Sequence, residues 1–129
     1  MIDPASNTVY VANDGSSNVT PIVANAAQTP VPAGTNPIAV AVNPVTHVVY
    51  VANNGSGNVT VIDGANNQVA TTVPVGAAPV AIAANPATGL VYVANQGSDS
   101  VTAFDTVVSS NITITDPLHL SLAAVIILT

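Results

Sequence analysis

The sequence predicts an all-β fold made of four-stranded antiparallel meanders recurring about every 42 residues, an incomplete ring of about three propeller-type blades. Three observations predict it. One stretch occurs three times in phase, as Tyr10–Thr20, Tyr50–Thr60 and Tyr92–Thr102, at spacings of 40 and 42 residues. Composition leans to Val, Ala and Ile with Thr and Asn, and 49% of residues are apolar, which favours strands and turns around a real core. The strands are also apolar on both faces. In Val48–Ala52, Val49 and Val51 point one way while Val48, Tyr50 and Ala52 point the other. A sheet like that needs cover on both sides, and face-to-face neighbours of its own kind supply it.

The middle repeat, residues 37–78, is whole. Pro37–Val42 is a short apolar strand stopped at Asn43-Pro44, because proline has no N–H for a ladder. Val45–His47 turns, and Val48–Ala52 is the second strand. Asn53–Gly57 turns back with glycines available for positive φ. Asn58–Ile62, the turn Asp63–Asn67 and Gln68–Val73 complete four strands. The third repeat, residues 79–117, follows with a shift of 42: Pro79–Ala84 before Asn85-Pro86, then Leu90–Ala94 and Val101–Asp105, with Thr106–Thr115 as a drifted fourth strand. The first repeat, residues 1–36, is partial. Asp3-Pro4 aligns with Asn43-Pro44 and Thr8–Ala12 is its second strand. Its own first strand is missing, and two residues are lost around Asn25–Gln28.

Residues 118–129 leave the repeat. Residues 122–128 are apolar without a break, too short for a bilayer span of about 20 residues. Two readings stand. The segment is a strand in the chain's own sheet, supplying the one missing at the N-terminus. Or Leu122, Val125, Ile126, Ile127 and Leu128 are an assembly strand donated to a neighbouring subunit.

Charge excludes several functions. The chain has no Lys, Arg, Glu, Cys or Trp, and its charged side chains are six aspartates, for a net charge of −6. Nothing neutralises phosphate, so nucleic acid is not expected as a partner. Anionic membrane surfaces and membrane insertion are not expected either. A surface of Asn, Thr, Ser and Asp points to the extracellular space or the cell surface. Met1–Pro4 lacks the basic region and apolar run of a signal peptide, so either a leader is gone or the chain is a piece of something larger.

Tyr-Val-Ala-Asn, a Gly/Ser turn and Asn-Val-Thr-Val-Ile-Asp, with Asn-Pro before and Val-Pro-Val-Gly after, resemble the YVTN family of β-propeller repeats. That family is related in architecture to NHL and WD40 propellers. The resemblance covers about residues 1–106 and implies secreted or surface-layer proteins. It implies a fold rather than an activity, and it hands over no catalytic residue. A closed propeller has about four blades or more. The chain is therefore a fragment, a subunit of a closed ring, or a unit of an open array.

Candidate chemistry is sparse. His47 aligns with Asn7 and Gly89 and reads as a solvent-exposed turn residue; His119 lies in the apolar tail. Two histidines without Cys or Glu do not fill a structural zinc site. No Gly-x-Ser-x-Gly elbow is present. Asp63 and Asp105 occupy equivalent turn positions, and Asp14 with Asp99 lacks calcium-loop spacing. No catalytic residue, metal or cofactor is expected. Asn18, Asn58 and Asn111 open N-glycosylation triplets, although Pro21 makes the first a poor acceptor. The functional expectation is a non-enzymatic extracellular scaffold that associates with itself by blade packing or strand exchange and carries covalent glycans. The alternative is a module binding glycan or protein through loops 53–57, 63–67 and 95–100.

Overall fold

The computed structural model describes residues 1–108 and 125–128. They form three sheets stacked face to face. The first holds β1 (Ile2–Asp3), β2 (Thr8–Asn13), β3 (Asn18–Val23), β4 (Ala26–Ala27) and β5 (Val31–Pro32). The second is an antiparallel meander of β6 (Pro37–Asn43), β7 (Val48–Asn53), β8 (Asn58–Asp63) and β9 (Gln68–Pro74). The third holds β10 (Pro79–Ala84), β11 (Leu90–Asn95), β12 (Ser100–Val108) and β13 (Val125–Leu128). First strands adjoin across the stack: β6 lies beside β10 in the sheet after it and beside β1 and β2 in the sheet before it.

The repeat is local chemistry used three times. Asp3, Asn43 and Asn85 each fold their Oδ1 back onto the backbone N–H two residues on, at 3.0 Å, closing the turn at each Asp/Asn-Pro pair. Asn7, His47 and Gly89 then take positive φ of 55°, 59° and 77° before the second strand. Ser17, Gly57 and Asp99 do the same before the third. The residue type varies at these positions while the left-handed backbone does not, so geometry is what each turn demands. Register slips at the same place in two sheets, between Pro37 and Ala39 and between Pro79 and Ala81, and once more in the second sheet between Val61 and Ile62. The shared bulge bends both first strands alike.

Four details depart from the sequence reading. A two-residue stub of the first repeat's first strand is present, with Ile2 opposite Val9 and Asp3 opposite Thr8. That repeat's fourth strand is split into β4 and β5, because the shortened connection turns tightly at Ala24 and Asn25, both at positive φ. Thr106–Val108 continue β12 instead of opening a fourth strand, and the rest of Thr106–Thr115 lies outside the described residues. The fourth position of the third sheet is taken by β13, which runs parallel to β12 with Asp105 opposite Val125 and Val108 opposite Leu128. That pairing makes the third sheet mixed, and it puts Val125–Leu128 at the opposite end of the chain's stack from the short N-terminal sheet.

Two apolar layers hold the stack together. Tyr10, Val19 and Val31 of the first sheet pack on Val42, Val49, Val51 and Ile62 of the second. On its other side the second sheet presents Ala41, Val48, Tyr50, Val59, Val61 and Val73 to Val91, Val93 and Phe104 of the third. Each buried Val contributes on the order of 1.5–3 kcal/mol over its exposed state. Every residue of β7 is buried, as two-sided cover requires.

Candidate functional site

The feature that recurs, and to which most of the repeat's polar groups contribute, is the junction between one sheet and the next. Its first part is a tyrosine. The Tyr10 hydroxyl crosses to the second sheet and donates to Asn67 Oδ1 at 3.2 Å. The Tyr50 hydroxyl crosses to the third and hydrogen-bonds Thr106 Oγ1, while its ring meets Phe104 edge-on with centroids 6.1 Å apart. Burial pushes both phenols above the usual tyrosine value. Asp3 and Asp63 add to the effect at Tyr10. At Tyr50, Asp105 adds to it and the Thr106 hydrogen bond opposes it.

The second part is the asparagine that closes Tyr-Val-Ala-Asn. Asn53 Nδ2 donates to Asn58 Oδ1 at 2.8 Å and to Thr60 Oγ1 at 2.9 Å, tying the second strand to the third. Asn13 does the same with Asn18 and Thr20, and Asn95 with Ser100 and Thr102. The Oδ1 atoms of Asn53 and Asn95 are buried without a hydrogen-bond partner. The Asn-Val-Thr triplets at Asn18 and Asn58 are thus explained as one side of a clamp. The sequence signal was available in the invariant five- and seven-residue spacing from each Tyr-Val-Ala-Asn asparagine.

The third part is the segment joining successive sheets. Residues 33–36 cross over the 53–57 turn: Gly34 N–H donates to Thr60 Oγ1, Thr35 N–H to Ser56 Oγ, and Gly55 N–H to the Thr35 carbonyl. A Cβ on Gly34 would lie 2.7 Å from the Asn53 amide, so only glycine lets the crossing lie this close. Residues 76–78 cross the 95–99 turn in the same way, with Ala77 N–H on Ser98 Oγ and Gly97 N–H on the Ala77 carbonyl. Asn36 Nδ2 reaches back to Asp14 Oδ1 at 2.7 Å, and Asn54 Nδ2 forward to the Pro79 carbonyl at 3.2 Å.

His47 belongs to the first junction and is more than a solvent-exposed turn residue. Its Nδ1 lies 2.9 Å from Oδ2 of Asp3, a buried carboxylate of the preceding sheet. Burial alone would raise the Asp3 pKa. Hydrogen bonds from His47, Ser6 and the Ala5 N–H outweigh it and hold the carboxyl below its usual value. Sequence alignment of the repeats could not find this pair, because Asn43 and Gly89 stand at the corresponding positions of the next junction.

The remaining candidates fall as follows. Asn58 Oδ1 accepts from Asn53 and Ser56, and Asn18 Oδ1 from Asn13 and Ser16, both at the start of a third strand. Asn111, His119 and Leu122 lie outside the described residues, and Val125–Leu128 form β13. Asp63 caps its own turn through Ala65 N–H. Among the described residues no three His, Asp or Glu side chains converge as a metal site, and no helix is long and apolar enough to cross a membrane. An open cleft of about 470 Å³ separates residues 28–32 of the first sheet from Asn66–Val69 of the second.

No protein-family model matches the chain, and no curated protein matches it. Solved structures do. Hydrazine synthase of Kuenenia stuttgartiensis matches at TM-score 0.75 and 28% identity over 81% of this chain and 31% of its own. The dihydro-heme d1 dehydrogenase NirN in complex with DHE matches at 0.69 and 22% identity, over 78% and 22%. AztD of Citrobacter koseri matches at 0.62 and 17% identity, over 77% and 28%. These neighbours are propeller-type proteins. The three sheets are propeller blades. The chain spans less than a third of the length of each of these structures, and it supplies three blades, the first with a stub for its inner strand.

Proposed function

We propose that the chain is a non-enzymatic structural protein of the YVTN-repeat type, a subunit or portion of an extracellular or cell-surface assembly whose working interaction is blade-to-blade packing. One observation carries the reading: apart from the Oδ1 atoms of Asn53 and Asn95, the polar groups of the two internal junctions are largely spent on the fold. The buried tyrosine hydroxyls bond the next blade, the asparagine amides clamp the neighbouring strand, and the turn carboxyls and amides fold onto their own backbone. The crossing segments hydrogen-bond the turns beneath them, Thr35 N–H to Ser56 Oγ and Ala77 N–H to Ser98 Oγ, while Gln96–Asp99 stay exposed.

Composition supports the exterior, since Asn, Thr, Ser and Asp dress the surface without a lysine or arginine. Glycans at Asn58 and Asn111 belong to this proposal. N-glycosylation substitutes Nδ2 and leaves the acceptor bonds of Asn58 Oδ1 in place. Shaving intact source cells tests the location. The protease must be of broad specificity, because trypsin has no site in this chain. The chain is expected to be degraded before lysis; full protection until lysis contradicts the proposal.

The rim cleft favours a second reading, a glycan- or protein-binding module, because Asn66 and Asn67 of loop 63–67 line it with Gln28 and Gln68. Under that reading Asn66→Ala with Gln68→Ala abolishes retention on a glycan array and leaves particle size unchanged. Under the structural reading no glycan is retained by either protein.

A further inference from the structure

Both internal junctions meet at the chain's one Asn-Gly pair, Asn54-Gly55, in the turn from β7 to β8. Asn-Gly is the pair most open to succinimide formation, because glycine puts no side chain in the way of its own nitrogen. The Gly55 nitrogen loses its proton and attacks Asn54 Cγ, and Nδ2 leaves as ammonia. Water then opens the ring at one of its two carbonyls, giving aspartate or isoaspartate. One water is consumed and one ammonia released, and nothing is oxidised or reduced.

The stack withholds both reacting groups. The first junction holds the nucleophile: Gly55 N–H donates to the Thr35 carbonyl at 3.0 Å, and Asn54 N–H to the Asn36 carbonyl at 2.8 Å. While the Gly55 nitrogen keeps its proton in that bond it is no nucleophile. A Cβ on Gly55 would lie 2.5 Å from Asn36 Oδ1, so the crossing segment rests directly on the turn. The second junction holds the electrophile, since Asn54 Nδ2 donates to the Pro79 carbonyl at 3.2 Å. That bond draws the amide toward the third blade.

The equivalent contact of the first junction has the opposite polarity. Asp14 stands one blade before Asn54, and its carboxylate accepts from Asn36 Nδ2 at 2.7 Å. In the second junction Ala78 takes the place of Asn36. Both residues have positive φ, 53° at Asn36 and 49° at Ala78, so the backbone is alike and the side chain differs. The first junction is built for a carboxylate at this place and the second for an amide. We propose that Asn54 is a modification site that the fold keeps closed. Deamidation is barred while the blades are stacked and proceeds when the junctions open. The product carboxylate then faces the Pro79 carbonyl, and the side chain at 78 offers no donor. The change is one-way, and it marks and weakens a second junction that has been open.

The test incubates the native chain in mildly alkaline buffer and in guanidinium chloride, then maps residue 54 by mass spectrometry with the Asp and isoAsp peptides separated. Conversion at Asn54 is expected to be many-fold faster in denaturant. Ser56→Ala, an exposed change that frees the Thr35 N–H from the turn, should speed conversion in buffer while the β spectrum is retained. Asn54→Asp should melt at a lower temperature than the native chain. Adding Ala78→Asn, the donor that the first junction has in Asn36, should restore the loss. Conversion as fast in buffer as in denaturant, a Ser56→Ala chain that converts no faster than the native one, an Asn54→Asp chain that melts like the native one, or an Ala78→Asn addition that restores nothing each overturns the proposal.

Discussion

The second and third blades carry nearly the same second strand, Val-Val-Tyr-Val-Ala-Asn and Leu-Val-Tyr-Val-Ala-Asn, in different surroundings. In the second blade all six residues are buried. In the third, burial alternates along the strand, and Leu90, Tyr92 and Ala94 lie on the open side. Nothing in the strand itself distinguishes the two cases. The neighbours decide: a blade in the middle of the stack is covered twice, and the terminal blades once each. This is why the strands do not show the one-sided polarity of a half-solvated sheet. Their pattern is written for a position inside a stack.

The largest expected effect that separates the two positions is Tyr50→Ala against Tyr92→Ala. The first removes a buried ring packed on Phe104 and should cost about 3–5 kcal/mol in thermal or denaturant unfolding. The second removes a ring that is 43% exposed and packed on one side only, and should cost distinctly less. Equal costs would mean that the stack does not set the burial.

Next come the glycines of the crossing segment. Gly34→Ala drives a Cβ into the buried Asn53 amide and should destabilise by about 1–3 kcal/mol. Gly15→Ala, in the first blade, where no preceding segment crosses and no atom lies within 4 Å of the added Cβ, should be near neutral. A costly Gly15→Ala would show a contact that the stack does not provide.

A smaller difference is expected between the two clamps. Asn53→Ala removes donors to Asn58 and Thr60 in a fully buried setting, for about 1–3 kcal/mol, whereas Asn13→Ala makes the same deletion in a half-buried one and should cost less.

The smallest effect is the acid limb. Asp3 is held below its unfolded value, so its contribution is present above the unfolded carboxyl pKa of about 3.9 and is lost as pH falls through the lower folded value. His47→Ala should flatten that limb in acid-unfolding curves, and an unchanged curve would remove the pair from the first junction. The buried phenols have the opposite sign. Tyr10 and Tyr50 are raised, so their contribution is present below about pH 10 and fades above it, a range in which this chain has no lysine, arginine or cysteine to titrate.

Much of the fold was legible because three copies lie in phase. The strands of the middle repeat, the breaks at Asn43-Pro44 and Asn85-Pro86 and the positive φ in the 53–57 turn all follow from local chemistry; the left-handed backbone at Asn7, His47 and Gly89 emerged only in the structure. The two-sided apolar pattern indicated stacking. What stayed hidden depends on contacts between repeats. The Asp3–His47 pair joins positions that do not match across repeats, and the crossing of Gly34 over Asn53 joins residues that no periodicity relates. The parallel pairing of β13 with β12 comes from a segment outside the repeat, where no second copy exists to set a register. The asparagine clamp was visible as an Asn-x-Thr triplet, but read as a modification signal instead of as the partner of Asn13 and Asn53.

The most direct test of the stack is selective nitration of the three tyrosines in the native chain, followed by peptide mapping. The account predicts that Tyr92 reacts while Tyr10 and Tyr50 are spared, because only the latter two have a blade seated over them. Reaction of Tyr10 or Tyr50 at the rate of Tyr92 would contradict it.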